Sequence, residues 1–150
     1  MPTPPHPPYT GFLELLKVLN EKYEMMQESE VRYESYLIDD AELIIVAYGY
    51  TARVSKDSLK EARKEGLRVG MIRPQVVWPF PYQIIKETAS KGCRFLVVED
   101  SLGQLVEDVR IGVQGKTEVH LLGALSRHDP SDGGMILPDA VLDEIHRLMK

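Results

Sequence analysis

A chain of 150 residues, 43% hydrophobic and 27% charged, suits one folded domain with a real core and argues against disorder. Its net charge of −5 gives no basic surplus for nucleic acid. A single cysteine, Cys93, excludes an internal disulfide and any cysteine cluster for zinc or iron–sulfur, and points to a reducing, cytoplasmic setting.

The start, MPTPPHPPYT, carries five prolines and reads as extended. It lacks the basic and apolar regions of a signal peptide, and no run in the chain approaches the ~20 apolar residues of a membrane span. From Gly11 to about Glu28 the period is helical: Phe12, Leu15, Leu16, Leu19, Tyr23 and Met26 form one stripe. Two readings of that helix stay open, docking on its own domain or connecting to a missing domain or partner. VRYESYLI (31–38) reads as a short strand, and residues 1–38 as a start-and-connector region ahead of a domain over 39–150.

ELIIVAYGY (42–50) is a continuous apolar run, the mark of a strand covered on both faces. A helix is predicted over 55–66, with Leu59 and Ala62 inward and Gly66 at its stop. LRVGMIRP (67–74) is a strand, and 81–92 a helix opened by Pro81. CRFLVVED (93–100) is a strand whose Cys93 reads as buried and inert. The helix over 103–115 packs through Leu105, Val106, Val109 and either Ile111 or Val113. TEVHLLGAL (117–125) is a strand, SRHDPSDGG (126–134) a loop, and 138–150 an amphipathic helix packing Val141, Leu142, Ile145 and Leu148. Strands alternating with helices of about twelve residues require βαβ crossovers. The predicted fold is a three-layer α/β/α sandwich with a mostly parallel sheet of about five strands, preceded by an N-terminal helix.

In such sheets ligands and partners meet the loops at the carboxyl ends of the strands. Here those loops are Gly49 to Arg53, Arg73 to Pro81, Glu99 to Gln104 and Gly123 to Gly134, and they hold the chain's unusual residues. AYGYTAR has one glycine, where a pyrophosphate turn needs several, so no dinucleotide fingerprint is present. Ser101 follows a strand but in no GxSxG turn, and His120, His128 and His146 have no triad context. Glu99 and Asp100 suit an acid–base pair, a cap on the next helix or a partner for arginine. Arg53 and Arg73 come close if their strands are adjacent, ready to bind an anion or to pair with Glu99 or Asp100. In IRPQVVWPFP (72–81), Pro74, Pro79 and Pro81 fix backbone angles and hold Trp78 and Phe80 as large apolar groups. Those aromatics serve either as interface anchors or as cover for the core edge.

IRPQVVWPFP followed by VVEDSLGQLVEDVR resembles the carboxyl-terminal domain of the alpha subunit of 2-oxoacid:ferredoxin oxidoreductases, a domain with the transketolase carboxyl-terminal fold. The matching residues are Ala47, Gly49, Thr51, Arg53, Arg73, Trp78 to Pro81, Glu99, Gly103 and Gln104, within about Asp40 to Met149. Two departures are Ser101, where the family commonly has asparagine, and Leu137, where it commonly has threonine. The resemblance implies an enzyme that oxidatively decarboxylates a 2-oxoacid to an acyl-coenzyme A with thiamine diphosphate, magnesium and iron–sulfur clusters. It implies a cofactor lying between the preceding alpha-subunit domain and the beta subunit, neither visible in this chain. The expectation is therefore a non-catalytic assembly domain that binds no cofactor itself and is inactive alone. Its interface or substrate-entrance residues would be Tyr50, Thr51, Arg53, Arg73, Trp78, Phe80, Glu99, Ser101 and Gln104. Its partners would be the thiamine-binding alpha domain and the beta subunit, with self-association when isolated. The alternative is a small anion- or nucleotide-binding regulatory module built on Arg53 and Arg73.

Overall fold

A computed structural model of the chain describes residues 11–125 and 135–150. The loop expected over 126–134 lies outside the described residues for its whole length. Two compact units are present, Met1–Val31 and Arg32–Lys150. The first contains helix α1 (Phe12–Ser29), an 18-residue helix with no buried residue. No helix among the described residues is long and apolar enough to cross a membrane.

The second unit runs β1 (Tyr33–Tyr36), β2 (Leu43–Val46), α2 (Gly49–Lys64), β3 (Val69–Pro74), α3 (Tyr82–Ser90), β4 (Arg94–Val98), α4 (Leu105–Val113), β5 (Val119–Leu122) and α5 (Pro138–Met149). The five strands form one sheet in the order β1-β3-β2-β4-β5. β2, β3, β4 and β5 are parallel, and β1 lies antiparallel at the edge against β3. This is the mostly parallel five-stranded α/β architecture that the alternating pattern predicts.

Strand alternation splits the core in two. Leu43, Ile45, Met71, Leu96 and Val98 face α2 and α5, where Leu59, Ala62, Val141, Ile145 and Leu148 close the layer. Ile44, Val46, Ile72, Phe95 and Val97 face α3 and α4, where Ile85, Ala89, Val106, Val109 and Val113 do the same. Val113, not Ile111, is the residue that packs: Ile111 is 62% exposed. Leu142 packs against its layer as a partly buried residue.

Two local details shape the ends of these elements. Gly70 sits where a Cβ would come within 2.7 Å of the Leu37 carbonyl, so β3 passes under the β1–β2 turn only as glycine. Leu137 is the extended residue before α5 and makes no side-chain cap, as an aliphatic group must. Pro138 opens that helix, where its missing N–H costs nothing.

The first strand–helix junction differs from expectation. Gly49 to Arg53 form not a loop but the start of α2, six residues earlier than the helix predicted from 55. Tyr48 is the extended residue before it, and the Thr51 hydroxyl donates to the Tyr48 carbonyl at 2.8 Å. Gly49 accepts a positive φ of 61° at the turn from strand to helix. The apolar run ELIIVAYGY hid this change of period, because Ala47 and Ala52 are buried on either side of it.

Candidate functional site: the strand-end rim

The strand order reverses at β2. From β2 the chain goes to β3 on one side, and then crosses back to β4 on the other. The carboxyl ends of β2 and β4 therefore flank a topological switch point, where open α/β sheets hold ligands or partners. A cavity of ≈ 170 Å³ lies there, lined by Tyr48, Gly49, Tyr50 and Thr51 after β2 and by Glu99, Asp100 and Ser101 after β4.

Glu99 organises this rim. Its side chain is 2% exposed. Oε2 accepts the Gln104 N–H at 3.1 Å and the Leu105 N–H at 2.9 Å, and Oε1 accepts the Val106 N–H at 3.0 Å. The Ser101 hydroxyl also donates to Oε2. Glu99 thus satisfies the open N–H groups of α4 from the preceding strand end, and the negative charge suits a helix N-terminus. Gly103 makes this convergence possible: its φ of 109° is strained for residues with a Cβ. The Gly103-Gln104 pair that carries part of the family resemblance therefore has a structural reason.

The pairing expected between Arg73 and Glu99 or Asp100 does not occur. Arg73 pairs instead with Glu34, at 3.2 Å. β2 separates β3 from β4, whereas antiparallel β1 sets Glu34 directly opposite Arg73 in register. The Glu34 carboxyl is held below the usual carboxylate range by the Tyr36 hydroxyl first, with Gln75 and Arg73 adding to it. Asp100 accepts the Tyr50 hydroxyl, whose oxygen lies 3.4 Å from the Ile136 N–H. Arg53 is exposed in the early turns of α2, and Thr51 is buried beside it.

The proline-rich loop divides its aromatics. Phe80 is 4% exposed and belongs to the core against α3 and α4, whereas Trp78 is 46% exposed. The Trp78–Pro79 peptide is cis. Tyr82 meets Phe80 edge to face at 5.0 Å between centroids, and its hydroxyl donates to Asp108 Oδ1 at 2.5 Å. That bond pushes the Tyr82 phenol up to about 12. Cys93 is buried, its thiol donating to the Ala41 carbonyl at 3.0 Å, and burial raises its pKa. His120 is partly exposed on edge strand β5, beside Glu118 at 3.2 Å.

Sequence reasoning missed Tyr48, Val77, Tyr82 and Asp108, which join the same rim. The spacing of Asp108 one turn after Gln104, on a helix packed against α3, was the signal available.

Residues 41–134 match the family described as pyruvate:ferredoxin oxidoreductase core domain II. The chain belongs to the 2-oxoacid:ferredoxin oxidoreductase family. It is 43% identical over 130 residues to the ketoisovalerate oxidoreductase subunit VorB of Methanothermobacter thermautotrophicus, covering 87% of this chain and 35% of that protein. It is 35% identical over 136 residues to the 2-oxoglutarate synthase subunit KorA of Methanothermobacter marburgensis, covering 90% of this chain and 34% of that one. The chain thus spans about a third of the length of the curated relatives it matches. Its fold is that of the 2-oxoglutarate:ferredoxin oxidoreductase from Magnetococcus marinus, with a TM-score of 0.73 at 17% identity over 95% of this chain and 24% of that one. A split-gene transketolase shares the fold at a TM-score of 0.64 and 16% identity, over 79% of this chain and 41% of that one. Core domain II of this family is thereby transketolase-like in architecture, as the resemblance implied.

Two outcomes test this geometry. Glu99→Ala leaves the Leu105 and Val106 N–H groups buried without an acceptor, and should cost about 3 kcal/mol or more in urea denaturation, with Glu99→Gln costing less. Absorbance titration should show one phenol ionising near 12, and Asp108→Ala should return it toward 10. The Tyr82 contribution to stability is present below about pH 10 and lost as pH rises through about 12.

Proposed function

We propose that this chain is the non-catalytic assembly domain of a 2-oxoacid:ferredoxin oxidoreductase alpha subunit, and that its strand-end rim is the contact surface. The observation that carries this reading is the switch-point rim itself. The strand-end loops carry an exposed tryptophan and a capped, rigid helix start, yet the one buried charge among the described residues there, Glu99, is already engaged by four donors. In this reading Tyr50, Arg53, Trp78 and Gln104 meet the partner or border the substrate entrance. Thr51, Phe80, Glu99 and Ser101 hold that surface from beneath, and Arg73 with Glu34 stiffens the β1 edge.

The complete enzyme would oxidatively decarboxylate a 2-oxoacid to an acyl-coenzyme A using thiamine diphosphate, magnesium and iron–sulfur clusters. The residues here do not fit the diphosphate of that cofactor. Among the described residues, the switch-point cavity is lined by the carboxylates of Glu99 and Asp100 and by no cationic side chain. Among the described residues no group of three His, Cys, Asp or Glu is placed to hold a metal ion. The cofactor and clusters therefore belong, in this proposal, to the preceding alpha-subunit domain and to other subunits. Core domain II and its complex would work in the cytoplasm, and the isolated domain would self-associate through its uncovered rim.

Purified chain mixed with thiamine diphosphate, magnesium and a 2-oxoacid should consume no acid, and turnover by the chain alone would sink the proposal. Sedimentation should show self-association that Trp78→Ala weakens; an unchanged monomer before and after the substitution contradicts the interface role.

A further inference from the structure

Beside the switch point lies a second concavity, of ≈ 220 Å³, lined by Tyr48, Val77, Phe80, Gln104, Leu105 and Asp108. Its floor is apolar and fixed: Phe80 and Leu105 are 4% and 5% exposed. Its lip is apolar and open: Val77 is 62% exposed and Tyr48 38%. Asp108 stands at one end. Its Oδ1 accepts the Tyr82 hydroxyl, and its Oδ2 meets no donor among the described residues. Among the described residues no cation lines the groove, and the neighbouring acid, Glu107, is already paired with Arg110 at 2.6 Å.

Size and charge select the occupant. Small-molecule sites run to about 300–1,000 Å³, so this groove is small for a metabolite and suited to one large side chain. A preformed apolar floor with an acceptor at its end suits an apolar side chain followed by a donor. A cationic donor suits best, because Asp108 offers a carboxylate oxygen with no counter-charge among the described residues lining the groove. The Tyr82 bond fixes that carboxylate, so little entropy is lost when a partner engages it.

We infer that this groove receives an aliphatic or aromatic side chain of a partner polypeptide whose adjacent lysine or arginine pairs with Asp108. The inference rests on the interface reading above and names the chemistry of the partner. The partner segment is an apolar–basic pair from another subunit of the oxidoreductase.

The test is affinity in the assembled complex, made by co-expressing the full alpha subunit with its other subunits. Val77→Asp places a charge at the exposed lip without touching the core, and should weaken association at least tenfold. Asp108→Lys should do the same. Asp108→Asn keeps an acceptor for Tyr82 and should lose only a few-fold, while flattening the salt dependence of binding. Thermal melting of each variant alone checks that the fold is kept. Association that is normal in both Asp108 variants overturns the inference even if Val77→Asp weakens it, and leaves the interface reading standing. A wild-type subunit that does not associate at all overturns both.

Discussion

Four donors converge on one buried carboxylate, and that convergence sets the shape of the working edge. Glu99 leaves the end of β4, turns inward, and takes the first N–H groups of α4 together with the Ser101 hydroxyl. A helix start in the interior must have such acceptors or lose several kcal/mol. Here the acceptor comes from the strand, so strand, turn and helix are locked as one unit. The groove floor at Leu105 and the Asp108 carboxylate both ride on the helix that Glu99 holds. The backbone of Gly103 is the other half of the device, since its φ is what lets the turn close.

Topology supplies the rest. A parallel sheet whose order reverses at β2 opens its crevice between β2 and β4, and the chain's bulkiest loop, from β3, borders the same place. The antiparallel edge strand β1 answers a separate need, giving Arg73 its carboxylate partner. The two faces of the sheet are covered by helix pairs, leaving the strand ends as the part of this unit where polar and aromatic groups gather. In the proposed reading, a surface of that kind, stiff and partly apolar, meets another polypeptide.

Much of the fold could be read from the residues because the signals were local. Continuous apolar runs marked β2 and β4, and three- and four-residue steps marked α5. The start of α2 was not legible, because Tyr50 and Thr51 look like strand residues and the change of period falls inside an apolar run. The rim was legible only in part. Trp78 and the GQ turn stood out by type, and Glu99 as a helix cap was one of the readings its position allowed. The Arg73–Glu34 pair was not legible, since it depends on strand order, which no local pattern encodes. Asp108 and Tyr82 were missed for the same reason: each is unremarkable alone, and only the packing of α3 on α4 makes them a pair.

The central claim is that the carboxyl-end rim, and not the opposite edge of the sheet, is the surface this domain offers to its complex. Amide hydrogen exchange of the chain alone and within the assembled oxidoreductase measures that directly. The account predicts new protection over residues 76–80 and at the start of α4 on assembly, with little change at residues 91–94 on the opposite edge. Protection confined to the opposite edge, with the rim exchanging as it does in isolation, would contradict it.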